Sequence, residues 1–184
     1  MSFSFKTILT DEDYILFNKF TMQKTEYGKK SIRSVRTILT IVFLAIEIFI
    51  MISSSSALDM AISSLPLIAV FALIQLIWLP LQSASIKGTV ESMKKIGKLP
   101  YTPNAQMEFK DTYFTETTEL TKTASKYAVI EGIYVVKDRY IYIYTSQVAG
   151  HIIPLHVIPS LAEYNDFIEF LKGKCEKVFF IDKI

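Results

Sequence analysis

One carboxylate stands inside an apolar run. Glu47 interrupts TILTIVFLAIEIFIMISSSS, residues 37–56. An ionised carboxylate in such surroundings is costly unless it is protonated, paired or facing water, so a functional reading starts there. Gln75, in the second run AISSLPLIAVFALIQLIWLPL (61–81), is the other strongly polar side chain of the two stretches. The pair can act as interhelical glue, within a hairpin or between copies. It can also supply the working groups of a membrane sensor or transport accessory. A proton relay or transport path normally carries several such groups, and two are few, so glue is the expectation. At the helical rise, Glu47 lies about 15 Å deep and Gln75 about 9 Å from the inner face, a gap of about 6 Å that long side chains or a water can bridge.

Other chemistry-bearing residues are sparse. His151 and His156 are the only histidines and lie near no cysteine or carboxylate cluster in sequence, so no metal site is expected. Cys175 is the single cysteine and reads as a half-buried free thiol. Tyr140, Tyr142 and Tyr144 share one face of a strand, where packing outweighs recognition. Lys122, Lys126, Lys137 and Arg139 are candidate contacts for an anionic lipid headgroup, diluted by Glu116, Glu119 and Asp138. No nucleophile elbow, phosphate loop, zinc motif or dinucleotide fingerprint is present, and the six glycines are scattered. No catalytic residue and no cofactor is expected.

The elements that must hold these residues follow from composition. The chain has 184 residues, 51% of them hydrophobic yet 21% charged, with net charge +2. Aromatic residues at 13% and a small net charge exclude a disordered chain, and one cysteine excludes a disulfide scaffold. The apolar residues concentrate between Thr37 and Leu81, where no Lys or Arg occurs. Each run is about 20 residues, enough to cross about 30 Å of hydrocarbon as a helix. Neither has the polar face of a soluble helix. The turn SSSSALD makes the two helices antiparallel neighbours. Lys19, Lys24, Lys29, Lys30, Arg33 and Arg36 precede the first run, and Lys87, Lys94, Lys95 and Lys98 follow the second. The positive-inside rule then predicts a multi-pass protein of the cell membrane with both termini cytoplasmic.

Four regions are expected: a strand and amphipathic helix (1–36), a transmembrane hairpin (37–81), a basic juxtamembrane helix and linker (82–106), and a cytoplasmic β-rich domain (107–184). In the first, Phe3 and Phe5 alternate as in a strand, and Thr10 with Asp13 resembles a capping box opening a helix to about Lys24. That helix carries Phe17 and Phe20 and is expected to pack on the C-terminal domain. Gly97 and Pro100 end the juxtamembrane helix. Strands are predicted at 107–109, 113–121, 127–136 and 139–144, with a tight hairpin at Lys137–Asp138–Arg139 and a short strand HIIPL after Gly150. Ser160 and Glu163 cap a helix with Leu161, Tyr164, Phe167, Ile168 and Leu171 as its apolar face, and KVFFID adds a last strand. Short antiparallel strands closed by one helix suggest a partly open barrel or capped sheet.

This arrangement resembles the YcxB-like family of bacterial membrane proteins. The resemblance rests on LTDEDYILFNKF, the paired apolar helices, and EGIYVVKDRYIYIYTSQVAGHIIPLHVI before a short helix. The family carries no assigned biochemical activity, so no active-site residues follow from it. The resemblance implies a C-terminal domain of pleckstrin-homology type, and hence a binding module.

Charge divides along the chain. Residues 1–100 carry 11 Lys and Arg against 7 Asp and Glu, and residues 101–184 carry 9 against 11. A slightly acidic domain argues against nucleic acid as a partner and weakens an anionic-lipid site on that domain. The expected function is therefore non-enzymatic: a membrane anchor presenting a binding domain at the inner leaflet, for a protein partner or a second copy. Sensing or transport through Glu47 and Gln75, or anionic-lipid binding, are the alternatives.

Overall fold

The computed structural model describes residues 2–182. The chain divides into two compact units, one of Met1–Thr21 with Val90–Ile184 and one of Met22–Thr89.

The first unit contains two four-stranded sheets. Strand β1 (Phe3–Ile8) buries Phe3, Phe5 and Thr7 on alternate positions, as a pleated strand with one covered face must. It pairs antiparallel with β2 (Asn104–Phe109), Phe3 opposite Phe109 and Ile8 opposite Asn104. Strands β3 (Tyr113–Thr117) and β4 (Lys122–Lys126) complete a sheet in the order β1-β2-β3-β4. The second sheet is ordered β7-β6-β5-β8 and consists of β5 (Gly132–Val136), β6 (Tyr140–Tyr144), β7 (Gly150–Pro154) and β8 (Val178–Ile181). The N-terminal strand therefore belongs to the same unit as the C-terminal strands, whereas the sequence reading sets 1–36 apart.

Helix α4 (Leu161–Lys172) closes the unit. Ser160 Oγ accepts from Glu163 N at 3.2 Å, so the expected cap forms. The Phe167 ring lies 5.1 Å from Phe3, 4.9 Å from Phe5 and 4.9 Å from Phe109, centroid to centroid. Ile133, Val135, Ile141, Ile143 and Ile153 of the second sheet join this core.

The opposite face of β6 builds a second core. Tyr140, Tyr142 and Tyr144 pack under Phe17 and Phe20 of helix α1 (Asp11–Lys24). The packing role expected for this helix and for the tyrosines is met. Thr10 and Asp13 exchange bonds as a capping box: Thr10 N donates to Asp13 Oδ2 at 2.7 Å and Asp13 N to Thr10 Oγ1 at 3.3 Å. The second oxygen of Asp13 accepts from the Tyr140 hydroxyl at 2.6 Å, and Thr21 Oγ1 lies 2.6 Å from the Tyr144 hydroxyl. Burial, then the Asp13 bond, raises the Tyr140 pKa, so the phenol stays neutral and donates.

Several strand expectations are corrected. The strand placed at 113–121 ends at Thr117, because Thr118 and Thr121 fold into a turn, Thr118 N donating to Thr121 O at 2.8 Å. Strand β4, which follows, is exposed on both faces and so carries no period-2 signal. The strand placed at 127–136 starts only at Gly132, after a 3₁₀ turn at Tyr127–Val129. Asn104, assigned to a linker, opens β2. Strand β8 pairs parallel to β5, because α4 carries the chain back along the sheet before β8 begins. The hairpin at 137–139 is as tight as expected, with Asp138 at φ 58°. Gly150 is required where β6 and β7 meet: a Cβ there would collide with the Ile143 carbonyl oxygen and lie 2.9 Å from Tyr144 Cα.

The second unit is a helical hairpin. Helix α2 (Glu26–Ser53) begins at Thr25, whose Oγ1 accepts from Gly28 N at 3.1 Å. Helix α3 (Ala57–Lys95) follows after three residues, with Ser56 Oγ accepting from Asp59 N at 3.2 Å. Both helices begin earlier than the apolar runs suggest, since capping residues and not hydropathy set the ends. Phe43 and Phe71 stack at 4.2 Å between ring centroids. The chain thus holds two helices long and apolar enough to cross a membrane, Glu26–Ser53 and Ala57–Trp78, and neither apolar window is buried within the chain. Beyond residue 89, α3 ends in a glycine turn: Gly97 (φ 70°) N donates to Lys94 O and Lys98 N to Met93 O.

Two phenols of β6 make a clean comparison. Tyr142 is fully buried and its hydroxyl has no partner among the described residues. Tyr142→Phe should leave stability unchanged or raise it by about 1 kcal/mol, whereas Tyr140→Phe, which strips a donor from buried Asp13, should cost about 1–3 kcal/mol. Thermal melting of the purified full chain reads both; equal losses would contradict this assignment.

Candidate functional site

Glu47 faces across the hairpin and not toward Gln75. Ser64 Oγ donates to Glu47 Oε2 at 2.7 Å, and Oε1 is buried with no partner among the described residues. A turn centred between Ser55 and Ser56 puts residue 64 opposite 47 and residue 36 opposite 75. That symmetry, available in the sequence, identifies Ser64 and was missed because Ser64 is only weakly polar. No hydrogen bond joins Glu47 to Gln75 among the described residues.

The four basic candidates are split between the sheets. Lys122 and Lys126 flank β4 at the edge of the first sheet, about 13 Å apart along the strand, and Lys137 and Arg139 flank the β5–β6 turn of the second. All four are exposed, and Lys137 lines a cleft of about 460 Å³ that the other three do not line. His156 is exposed and Cys175 half-buried. Among the described residues no three His, Cys, Asp or Glu side chains group as metal ligands.

His151 has a partner that sequence spacing did not reveal. Its Nδ1 donates to Glu116 Oε1 at 3.3 Å, and Phe114 meets its ring edge-on at 5.4 Å. Glu116 comes from β3 and His151 from β7, so the bond ties the two sheets. Both line a cleft of about 330 Å³ with Tyr14 and Tyr101. The His151 bond holds the Glu116 carboxyl below its usual range, against the opposing effect of burial. Near its rim, Asp11 pairs with Lys94 and accepts from the Tyr101 hydroxyl at 2.6 Å, which also lowers the Asp11 pKa. Tyr101 is pushed up to about 12 by burial and by that bond.

The feature best shaped for a partner is the β8 edge. Of the outer strands, β1 and β7 lie against each other where the sheets meet, which leaves β4 and β8. Strand β4 is bounded by lysines, a pattern that discourages pairing. Strand β8 reads VFFI, without a charge. Its Lys177 and Ile181 carbonyls accept from Ile133 N and Lys137 N, both at the β5 side, so by alternation the Phe180 N–H and C=O point outward. Beside it opens a cleft of about 460 Å³, lined by Val135, Leu155, Ile158, Leu161, Tyr164 and Phe180 among others. Leu161, expected on the apolar face of α4, is instead 73% exposed, and Phe180 is 58% exposed. Phe179 stacks on Tyr134 at 5.0 Å, so the strand is anchored while its outer edge stays open.

Two predictions follow from these placements. Glu116 has a lowered pKa, so its stabilisation is complete above the usual glutamate range and is lost as pH falls through the lowered folded value. Glu116→Gln should flatten that acid limb in a melting-versus-pH series; Asp11 acts in the same sense, so part of the limb remains. In the hairpin, Glu47→Gln keeps an acceptor for Ser64 and should keep detergent stability, whereas Glu47→Leu should lose about 0.6–2 kcal/mol. Unchanged stability of the Leu variant would dismiss the glue role.

No curated protein and no solved structure matches the chain. A family model does, over roughly a third of the length, and it covers β3 to α4 with the β6 tyrosines and His151. From Phe109 to Leu171 this chain matches the family of YcxB-like proteins, as the resemblance of its strand run implied.

Proposed function

We propose that the chain is a non-enzymatic membrane anchor whose β-rich domain, of pleckstrin-homology-type layout, receives an extended apolar segment of a partner protein along β8. The observation that carries the reading is the uncharged open edge of β8 beside a largely apolar cleft, whose lining also includes Lys137, Asp138 and Asp182. An added strand satisfies the outward Phe180 amide and carbonyl, and its alternate side chains fall toward the cleft. The two apolar helices act as the anchor. Their exposed Ile, Leu, Val and Phe side chains need a non-aqueous surrounding, and the basic flanks favour a cytoplasmic location for both. Anchoring confines the edge to the membrane surface and raises its effective concentration there.

Two four-stranded sheets, with α4 closing over one end of the core, support the pleckstrin-homology comparison. Transport through Glu47 is less supported, because Ser64 engages it and Gln75 sits at another level. A headgroup site on the domain is less supported, because its four cations are divided between two sheets.

Phe180→Pro removes the outward donor and leaves the β5 ladder bonds, a substitution an edge strand tolerates. Leu161→Lys places a charge in the cleft. The full chain should form a cross-linked adduct in native membranes, and each substitution should abolish it with circular dichroism and melting unchanged. An adduct that survives both substitutions overturns the edge as the binding site.

A further inference from the structure

The hairpin unit carries a cluster of cations that none of the roles above uses. Lys29, Arg33 and Arg36 are spaced by four and three residues, so they stack on one face of α2 over about 10 Å. With Ile32, Thr37, Thr40 and Ile41 they line a cleft of about 480 Å³. None of the three cations forms an ion pair among the described residues. Arg36 Nε is buried there without a hydrogen-bond partner. The Thr40 hydroxyl is turned back onto the Arg36 carbonyl at 2.8 Å, leaving the guanidinium free of it. Glu26, in the first turn of α2, is the acid of this helical stretch, and its place is explained by the helix dipole.

The order of chemistry along this face is directional. Three cations come first, two hydroxyl-bearing threonines next, and then the apolar run from Ile41 onward. An anionic phospholipid has the same order: a phosphate, an ester region, an acyl chain. A free anion would use the cations and leave the apolar end of the cleft unfilled. A zwitterionic lipid would bring its own cation toward Lys29 and Arg33.

We propose that this face of α2 is a binding site for one anionic phospholipid, its phosphate held by Arg33 and Arg36 with Lys29 and its acyl chain lying along Ile41. Arginine suits the role, since its planar fork grips phosphate oxygens in pairs. The site rests on the reading of the hairpin as membrane-spanning.

Trp78 is the only tryptophan and lies opposite Arg33 by the symmetry of the turn, which makes it a reporter for that depth. The full chain is reconstituted in phosphatidylcholine vesicles containing phosphatidylglycerol, with bromine on the chains of one lipid or the other, and Trp78 fluorescence is read. Phosphatidylglycerol should quench in clear excess of its mole fraction. Each cation is worth about fivefold near an anionic surface, so Arg33→Gln/Arg36→Gln should reduce the preference by an order of magnitude or more. Lys95→Gln/Lys98→Gln, an equal change of charge beyond the hairpin, should leave it intact. Equal quenching by both lipids in the unmodified chain, or a preference lost equally in both double variants, overturns the site while leaving the spanning hairpin standing. Absence of quenching by either brominated lipid overturns the spanning reading itself.

Discussion

Strand β1 pairs with β2 residue for residue, from Phe3 opposite Phe109 to Ile8 opposite Asn104, although both long helices lie between them in the chain. The register decides the core. It places Phe3 and Phe5 with Met107 and Phe109 on one face, and Phe167 of α4 closes onto three of those rings. Slipping the ladder by one residue would turn that aromatic set toward solvent. The entropic cost of closing so long a loop rises only logarithmically with length, so an insertion of this size is thermodynamically tolerable. Beyond the ladder, the Leu9 amide bonds the Pro103 carbonyl at 2.8 Å, which ties the two ends of the insertion together within the domain. A fragment that starts at residue 107 lacks both β1 and the opening of β2, and with them Phe3 and Phe5 of the aromatic core.

The second core uses the same strand twice. Along β6 the odd positions 141 and 143 point into the isoleucine-rich layer under α4, and positions 140, 142 and 144 point to α1. Every residue of β6 is buried, which makes it the central wall of the unit. Tyrosine serves there because its ring packs like phenylalanine while its hydroxyl reaches Asp13 or Thr21 at the far end. Tyr142 is the exception, with no polar group to meet its hydroxyl among the described residues.

Much of this was legible in the residues. The apolar runs, the 137–139 hairpin, the capping boxes at Thr10 and Ser160, and the two faces of β6 each carry a local signal: length, turn chemistry, side-chain spacing or period. What was not legible is non-local or lacks periodicity. Strand β4 is exposed on both faces, so nothing alternates. The Glu116–His151 bond joins residues 35 apart in sequence that only the meeting of two sheets brings together. The union of β1 with β2 depends on a pairing that no stretch of local sequence encodes. Leu161 fits the apolar period of α4, yet at the helix N-terminus it overhangs the cleft beside β8, because the core ends one turn further on. Where the sequence pattern and the fold part company, at the β8 edge and at Leu161, apolar surface is left uncovered.

The β1–β2 ladder also sets an order of events during synthesis. Phe3–Ile8 leaves the ribosome first, but its partner strand is made only after both long helices. At typical elongation rates the interval is about 5–20 s. Through that interval an amphipathic strand with two phenylalanines has no sheet to join. The domain therefore cannot complete its core as it emerges, and its maturation waits on the fate of the helices translated in between.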